Sequence, residues 1–188
     1  MAEIPAQLAG YLDELVRRLS EVVELDAVYL FGSAAQGAYE QGRSDVDVIA
    51  VTARPLSRAE KEAIAEVADS LPCPAPKLEL VVYARGADRH ELNVNTGELV
   101  HFDPDDDPGF WFVIDRAIAE QHSIPLLGPP WEEVFPPVSR EAVAQALDEA
   151  AAFEGWDDPR GAELAAERAR IWRETGEWVS KAAARRRA

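Results

Sequence analysis

The chain has 188 residues, with 19 Lys+Arg against 35 Asp+Glu for a net charge of -16, 47% hydrophobic residues and a single cysteine. That length suits one domain, or one domain with an appendage, and is enough to bury a real core. The acidic excess argues against phosphate backbones and anionic lipid as general partners, makes nucleic acid an unlikely one, and leaves a cationic small molecule as the natural guest.

The apolar residues Ile4, Leu8, Tyr11, Leu12, Leu15, Leu19 and Val22 recur at three- and four-residue spacing and predict an amphipathic helix, with Pro5 suited to its first turn. Ala27 to Phe31 reads as a short buried strand stopped at Gly32. Val46–Val51 and Leu78–Tyr83 predict two more strands, and Ser57 with Glu60 forms a capping-box pattern ahead of a helix carrying Ala63, Ile64, Val67 and Leu71. Glu91–Asn95 is a further strand candidate, and a helix follows from Phe110 to His122. The Pro-rich stretch from Pro125 to Pro137 reads as a boundary, beyond which Ser139–Phe153 and Gly161–Arg173 have helical periodicity and no strand signal. The lone Cys73 makes no internal disulfide, which sets the cytoplasm as the default compartment. No apolar run approaches ~18 residues, so neither a membrane span nor a membrane partner is expected.

The chemistry concentrates between Tyr29 and Val51. A strand delivers the chain to Gly32-Ser33, a turn of small residues where backbone N–H groups can approach a phosphate. The next strand presents Asp45 and Asp47 on one face, close enough to repel each other. A divalent cation that keeps waters and binds substrate phosphates is their natural compensation. Glu79 adds a carboxylate within an otherwise apolar strand, where it costs free energy unless paired or metal-bound.

Gly32-Ser33 with Ser44-Asp45-Val46-Asp47 resembles the signature of the nucleotidyltransferase superfamily that shares the DNA polymerase β palm, and within it the streptomycin/spectinomycin (aminoglycoside) adenylyltransferase family. Lys77 to Val82 resembles that family's strand bearing the catalytic glutamate. Leu127-Gly128-Pro129 with Glu133-Val134-Phe135 resembles its interdomain junction, and Arg168 to Lys181 its ATP-contacting helical region. The resemblance implies an α+β fold, a mixed sheet with flanking helices over residues 1–130, followed by a small, shortened all-helical domain over 131–188. It also implies Mg²⁺-dependent transfer of AMP from ATP to a hydroxyl of an aminoglycoside-like antibiotic, by a monomer or homodimer.

By the same resemblance Asp45, Asp47 and Glu79 would hold two Mg²⁺ ions, with Glu79 as general base. Gly32, Ser33, Ser44, Arg168 and Lys181 would contact the nucleotide, and Glu154, Trp156, Asp157 and Asp158 the cationic acceptor. Two departures stand out: Gly97 lies near the place of an expected acceptor-lining aromatic, for which His101 or Trp111 could substitute, and Gly161 lies near that of a histidine. A protein or RNA acceptor, or a nucleotide-binding relative without catalysis, are the alternatives.

Overall fold

The computed structural model describes residues 3–156 and 159–187. Its centre is a six-stranded mixed sheet in the order β5-β4-β3-β2-β1-β6, formed by β1 (Leu25–Phe31), β2 (Val46–Thr52), β3 (Leu78–Ala84), β4 (His90–Asn95), β5 (Leu99–His101) and β6 (Ile124–Leu127). Only β2 and β3 run parallel, joined by the crossover helix α3 (Arg58–Ser70), and every other pairing is antiparallel.

Alternation along the strands divides the core in two. Val28, Leu30, Val46, Val48, Ala50, Leu78, Leu80 and Val82 face α1 (Ala6–Val22) and α3, where Leu8, Leu12, Leu15, Leu19 and Ile64 cover them. The capping box expected at the start of α3 is formed: Ser57 Oγ accepts from the Glu60 N–H while the Glu60 carboxylate accepts from the Ser57 N–H. Tyr29, Ile49, Val51, Val81 and Tyr83 point the other way, into a second apolar cluster.

That second cluster is covered by α4 (Phe110–His122) and by residues of the C-terminal helices α5 (Arg140–Ala152) and α6 (Pro159–Thr175). Val143, Ala146, Leu147, Ala169, Trp172 and Trp178 share one continuous core with the sheet. A helical segment too short to bury a core of its own gains it here by docking. The last helix, α7 (Lys181–Arg185), is capped by Ser180, whose hydroxyl accepts from the Ala183 N–H.

Two strands depart from the sequence reading. Ile124–Leu127, inside the stretch read as a boundary, is the edge strand β6 paired with β1. Pro125 conceals it, because a residue without an N–H is tolerated only where one side of a strand needs no donors. The segment that follows is pinned to the sheet rather than free: Tyr29 Oη donates to the Pro129 carbonyl at 2.8 Å. Gly128 meets the backbone so closely that a Cβ there would lie 2.3 Å from the Asp26 carbonyl oxygen. The three-residue strand β5 is too short to show a period.

Candidate active site

Register places the site. Phe31 of β1 pairs with Asp47 of β2, Asp47 with Glu79 of β3, Glu79 with Asn95 of β4, and Asn95 with Leu99 of β5, so these residues form one cross-strand row on the face covered by α4. Neighbouring strands lie about 4.8 Å apart, which sets the Asp47 and Glu79 carboxylates side by side. At the end of β1 the chain turns into the single helical turn α2 (Gly32–Ala35). Gly32 takes φ +64°, and a Cβ there would fall 1.9 Å from Asp47 Oδ2, so only glycine lets the turn approach the carboxylate.

Glu79 is not left alone on its strand. Lys77, two residues earlier on the same face, places Nζ 2.9 Å from Glu79 Oε1 and 2.7 Å from Glu98 Oε2. Burial opposes the lysine's charge, but the hydrogen bonds to Glu98 and Glu79 outweigh it and raise the Lys77 pKa.

The electrostatics are those of a crowded acid centre. Burial, followed by the charges of Glu79 and Asp115, pushes Asp47 well above the usual carboxylate range. Asp45, just before β2, is raised by burial and by Glu79, with Lys77 and Lys181 opposing. Asp115 of α4 is raised to about 7 by burial and then by Glu79, against Arg168 and Lys181. The two cations come from the C-terminal helices. Arg168 of α6 donates Nε–H to the Val179 carbonyl at 2.9 Å; burial lowers its pKa, and Asp115 and Asp47 oppose that. Lys181, at the first turn of α7, is exposed and acts on Asp45, Asp47 and Asp115.

The sheet residues expected from the sequence are therefore together, and Arg168 and Lys181 face them. Ser33 lies in α2, next in sequence to Gly32, whereas the Ser44 hydroxyl accepts from the Glu40 N–H at 3.0 Å and closes the loop that leads to Asp45. Trp156 packs edge-on against Trp111 with ring centres 5.1 Å apart, and Glu154, two residues earlier, is exposed. Asp157 and Asp158 lie outside the described residues. Gly97 makes the β4–β5 turn, and His101 Nδ1 is 2.9 Å from Asp107, which also accepts from Asn93 and ties the loop before α4 to the sheet.

Sequence reasoning missed Asp115 and Lys77. An aspartate within an amphipathic helix normally lies on its wet face, and the only signal was its four-residue spacing from Trp111. For Lys77 the signal was its same-face spacing from Glu79.

Among the described residues no group of three or more His, Cys, Asp or Glu side chains is set to hold a metal ion by itself. The donor set nevertheless suits Mg²⁺, which takes one or two carboxylates and completes its shell with water and substrate phosphates. Mutually repelling carboxylates of raised pKa are what such a cation relieves.

The chain can be set beside known proteins. No curated protein matches it. A spectinomycin adenyltransferase from Enterococcus faecialis, solved with ATP and spectinomycin, superposes with a TM-score of 0.70 at 18% identity, covering 95% of this chain and 79% of its own. A toxin–antitoxin complex solved with AMP-PNP aligns over 88% of this chain and 98% of its own at 15% identity, with a TM-score of only 0.39. The fold is that of the first, a nucleotidyltransferase sheet with a helical C-terminal region. Residues 12–105, half of the sequence and the part that holds Gly32, Asp45, Asp47 and Glu79, match the nucleotidyltransferase domain, and the chain belongs to that family.

Proposed function

We propose that the protein transfers AMP from ATP to a hydroxyl of a cationic, aminoglycoside-like acceptor. The observation that carries this reading is the juxtaposition of Asp45, Asp47 and Glu79 beside the Gly32 turn, with Lys181 and Arg168 facing them from the C-terminal helices. Carboxylates on one wall and cations on the other are the two halves of a site for a magnesium nucleotide.

Asp45 and Asp47, with Glu79 beside them, would hold Mg²⁺. Bound there, the ion would neutralise charge on the triphosphate. Ser33 and the backbone of the Gly32 turn would contact phosphate oxygens, and Lys181 and Arg168 would offset the remaining negative charge. A cleft of about 440 Å³ between the loop after α2 and α7, lined by Tyr39, His122, Trp178, Ser180 and Arg186, offers room for the nucleoside.

Glu79 would take the proton of the acceptor hydroxyl as its oxygen bonds to the α-phosphorus and the bond to pyrophosphate breaks. Lys77 would hold Glu79 in place for this step. Catalysis would then be chiefly positioning and charge neutralisation. Support for a cationic acceptor comes from the acidic balance of the chain and from the fold shared with the spectinomycin adenyltransferase.

The test is incubation with ATP, Mg²⁺ and a panel of acceptors that includes streptomycin and spectinomycin, with released pyrophosphate and adenylylated product as readouts. Product with a cationic acceptor supports the reading. ATP binding without product across the panel overturns it.

A further inference from the structure

Lys77 touches two acids, and the adenylyl-transfer reading uses one of them. Its Nζ lies 2.9 Å from Glu79 Oε1, in the ion pair that would hold the base. It also donates a hydrogen bond to Glu98 Oε2 at 2.7 Å. Glu98 comes from elsewhere in the sheet, the turn between β4 and β5, and the proposed mechanism has no use for it.

The backbone fixes both ends of this chain of three side chains. The Lys77 carbonyl accepts from the Val46 N–H at 3.0 Å, which ties the entry of β3 to the start of β2. On the other side Leu78 and Thr96 exchange two hydrogen bonds: the Leu78 N–H donates to Thr96 Oγ1 at 2.9 Å, and the Thr96 N–H donates to the Leu78 carbonyl at 3.0 Å. The Glu98 N–H then donates to the Asn95 carbonyl at 2.9 Å and closes a tight turn in which Gly97 takes φ +78°. Lys77 and Glu98 therefore stand on backbone that is stitched together, next to the register row that pairs Glu79 with Asn95.

Exposure shows what the second contact is not for. The Lys77 side chain is 19% exposed, whereas that of Glu98 is 57% exposed. An ion pair with so exposed a partner adds little to folding. Its value lies in direction. An ammonium is a point charge with three donors on a flexible stem, so a single partner sets its distance but not its orientation. With Glu98 in place Nζ is shared between two acids. Without Glu98 the ammonium would be left to Glu79 alone, free to swing across both carboxylate oxygens and to cover the one that the acceptor proton needs.

We propose that Glu98 is a positioning residue that acts through Lys77: it holds the ammonium at one oxygen of Glu79, so that the other oxygen stays open to the acceptor hydroxyl. This role presupposes Glu79 as the base of adenylyl transfer. The proton still passes from the acceptor hydroxyl to Glu79, and Glu98 touches neither acceptor nor nucleotide.

The experiment is steady-state kinetics of the full chain with ATP, Mg²⁺ and streptomycin or spectinomycin, for the wild type, Glu98→Gln, Lys77→Met and the double variant. Calorimetric affinity for a non-reactive ATP analogue is measured alongside. Glu98→Gln keeps the shape of an exposed side chain and removes its charge. Misplaced reacting groups cost up to about a hundredfold in rate, so kcat is expected to fall about tenfold to a hundredfold in Lys77→Met and about threefold to tenfold in Glu98→Gln, with both KM values and the analogue affinity kept. The double variant falls no further than Lys77→Met, because without the ammonium Glu98 has nothing to act on. Equal kcat in the wild type and Glu98→Gln overturns the proposal, and so does a double variant whose loss is the product of the two single losses. A raised KM at unchanged kcat, or a weakened affinity for the analogue in Glu98→Gln, assigns Glu98 to binding or to folding and also overturns it. Absence of product from the wild type with both acceptors removes the adenylyl-transfer reading and this role of Glu98 with it, whereas product from the wild type and an indifferent Glu98→Gln removes the role alone.

Discussion

Asp47 leaves no room for a side chain at Gly32: a methyl group there would stand 1.9 Å from Oδ2 and 2.6 Å from Cγ of the aspartate. The turn after β1 and the carboxylate of β2 are fitted to each other, so the backbone proposed to meet phosphate and the side chain proposed to hold metal form one unit.

Gly32→Ala tests that fit. The φ of +64° alone costs an alanine about 1–2 kcal/mol, and relief of the clash must move either the turn or Asp47. A displacement of about 1 Å at reacting groups can cost on the order of a hundredfold in rate. Urea unfolding is expected to show the stability loss, and pyrophosphate release a larger loss of turnover. A variant with wild-type turnover would show that Asp47 is not held by the turn.

Glu79→Gln keeps the size of the side chain and removes its capacity to accept a proton. Positioned general bases contribute about 10²–10⁴-fold, and turnover should fall by that order. Binding of the magnesium nucleotide should persist, because Asp45 and Asp47 are untouched. Product formation at the wild-type rate, followed by mass spectrometry, would refute the assignment of Glu79 as the base.

These two residues are legible in the sequence, and the reasons are physical. A glycine that ends an apolar strand, two aspartates one residue apart and a glutamate inside an apolar run all break local rules of composition. Rule-breaking residues carry information. Asp115 breaks no such rule, since an aspartate on an amphipathic helix has an ordinary place in solvent, and only packing of α4 against the sheet turns it inward. Arg168 was legible as a cation but not as a buried one tied to the Val179 carbonyl. Among the strands, β6 was hidden by Pro125, and its pairing with β1 is a long-range event that no local pattern announces.

Gln121 connects the first part of the chain to the segment that presents Lys181. Its side-chain amide donates to the Gly176 carbonyl and accepts from the Trp178 N–H, both at 2.8 Å, while His122 Nε2 lies 2.8 Å from the Trp178 carbonyl oxygen. Gln121→Ala removes two hydrogen bonds worth about 1 kcal/mol each in net terms and leaves the His122 contact as the remaining tether. The expected result is a several-fold rise in KM for ATP with little change in KM for the acceptor. Equal changes in both constants would show that this segment does not serve the nucleotide side.

In stability against pH, Asp115 acts in the direction unusual for a carboxylate. Its pKa rises from the ordinary carboxylate value to about 7 on folding. Between those two values the folded chain holds a proton that the unfolded chain has already released, so the group favours the folded state at low pH and loses that contribution as pH rises toward about 7. Asp47 and Asp45, also raised, add to the same slope, whereas Glu14 and Glu60, lowered to about 2 by hydrogen bonds to Arg17 and Arg54 respectively, act oppositely and only in acid. The ligand-free protein should therefore melt at a lower temperature at pH 7.5 than at pH 5.5. Asp115→Asn should flatten that difference and raise the melting temperature at the upper end. Addition of Mg²⁺ with a nucleotide should raise it further in both proteins, by mass action on the folded state. A variant whose melting temperature shows the wild-type pH dependence would mean that Asp115 is ionised in the folded protein throughout this range, stabilised by Arg168 or Lys181.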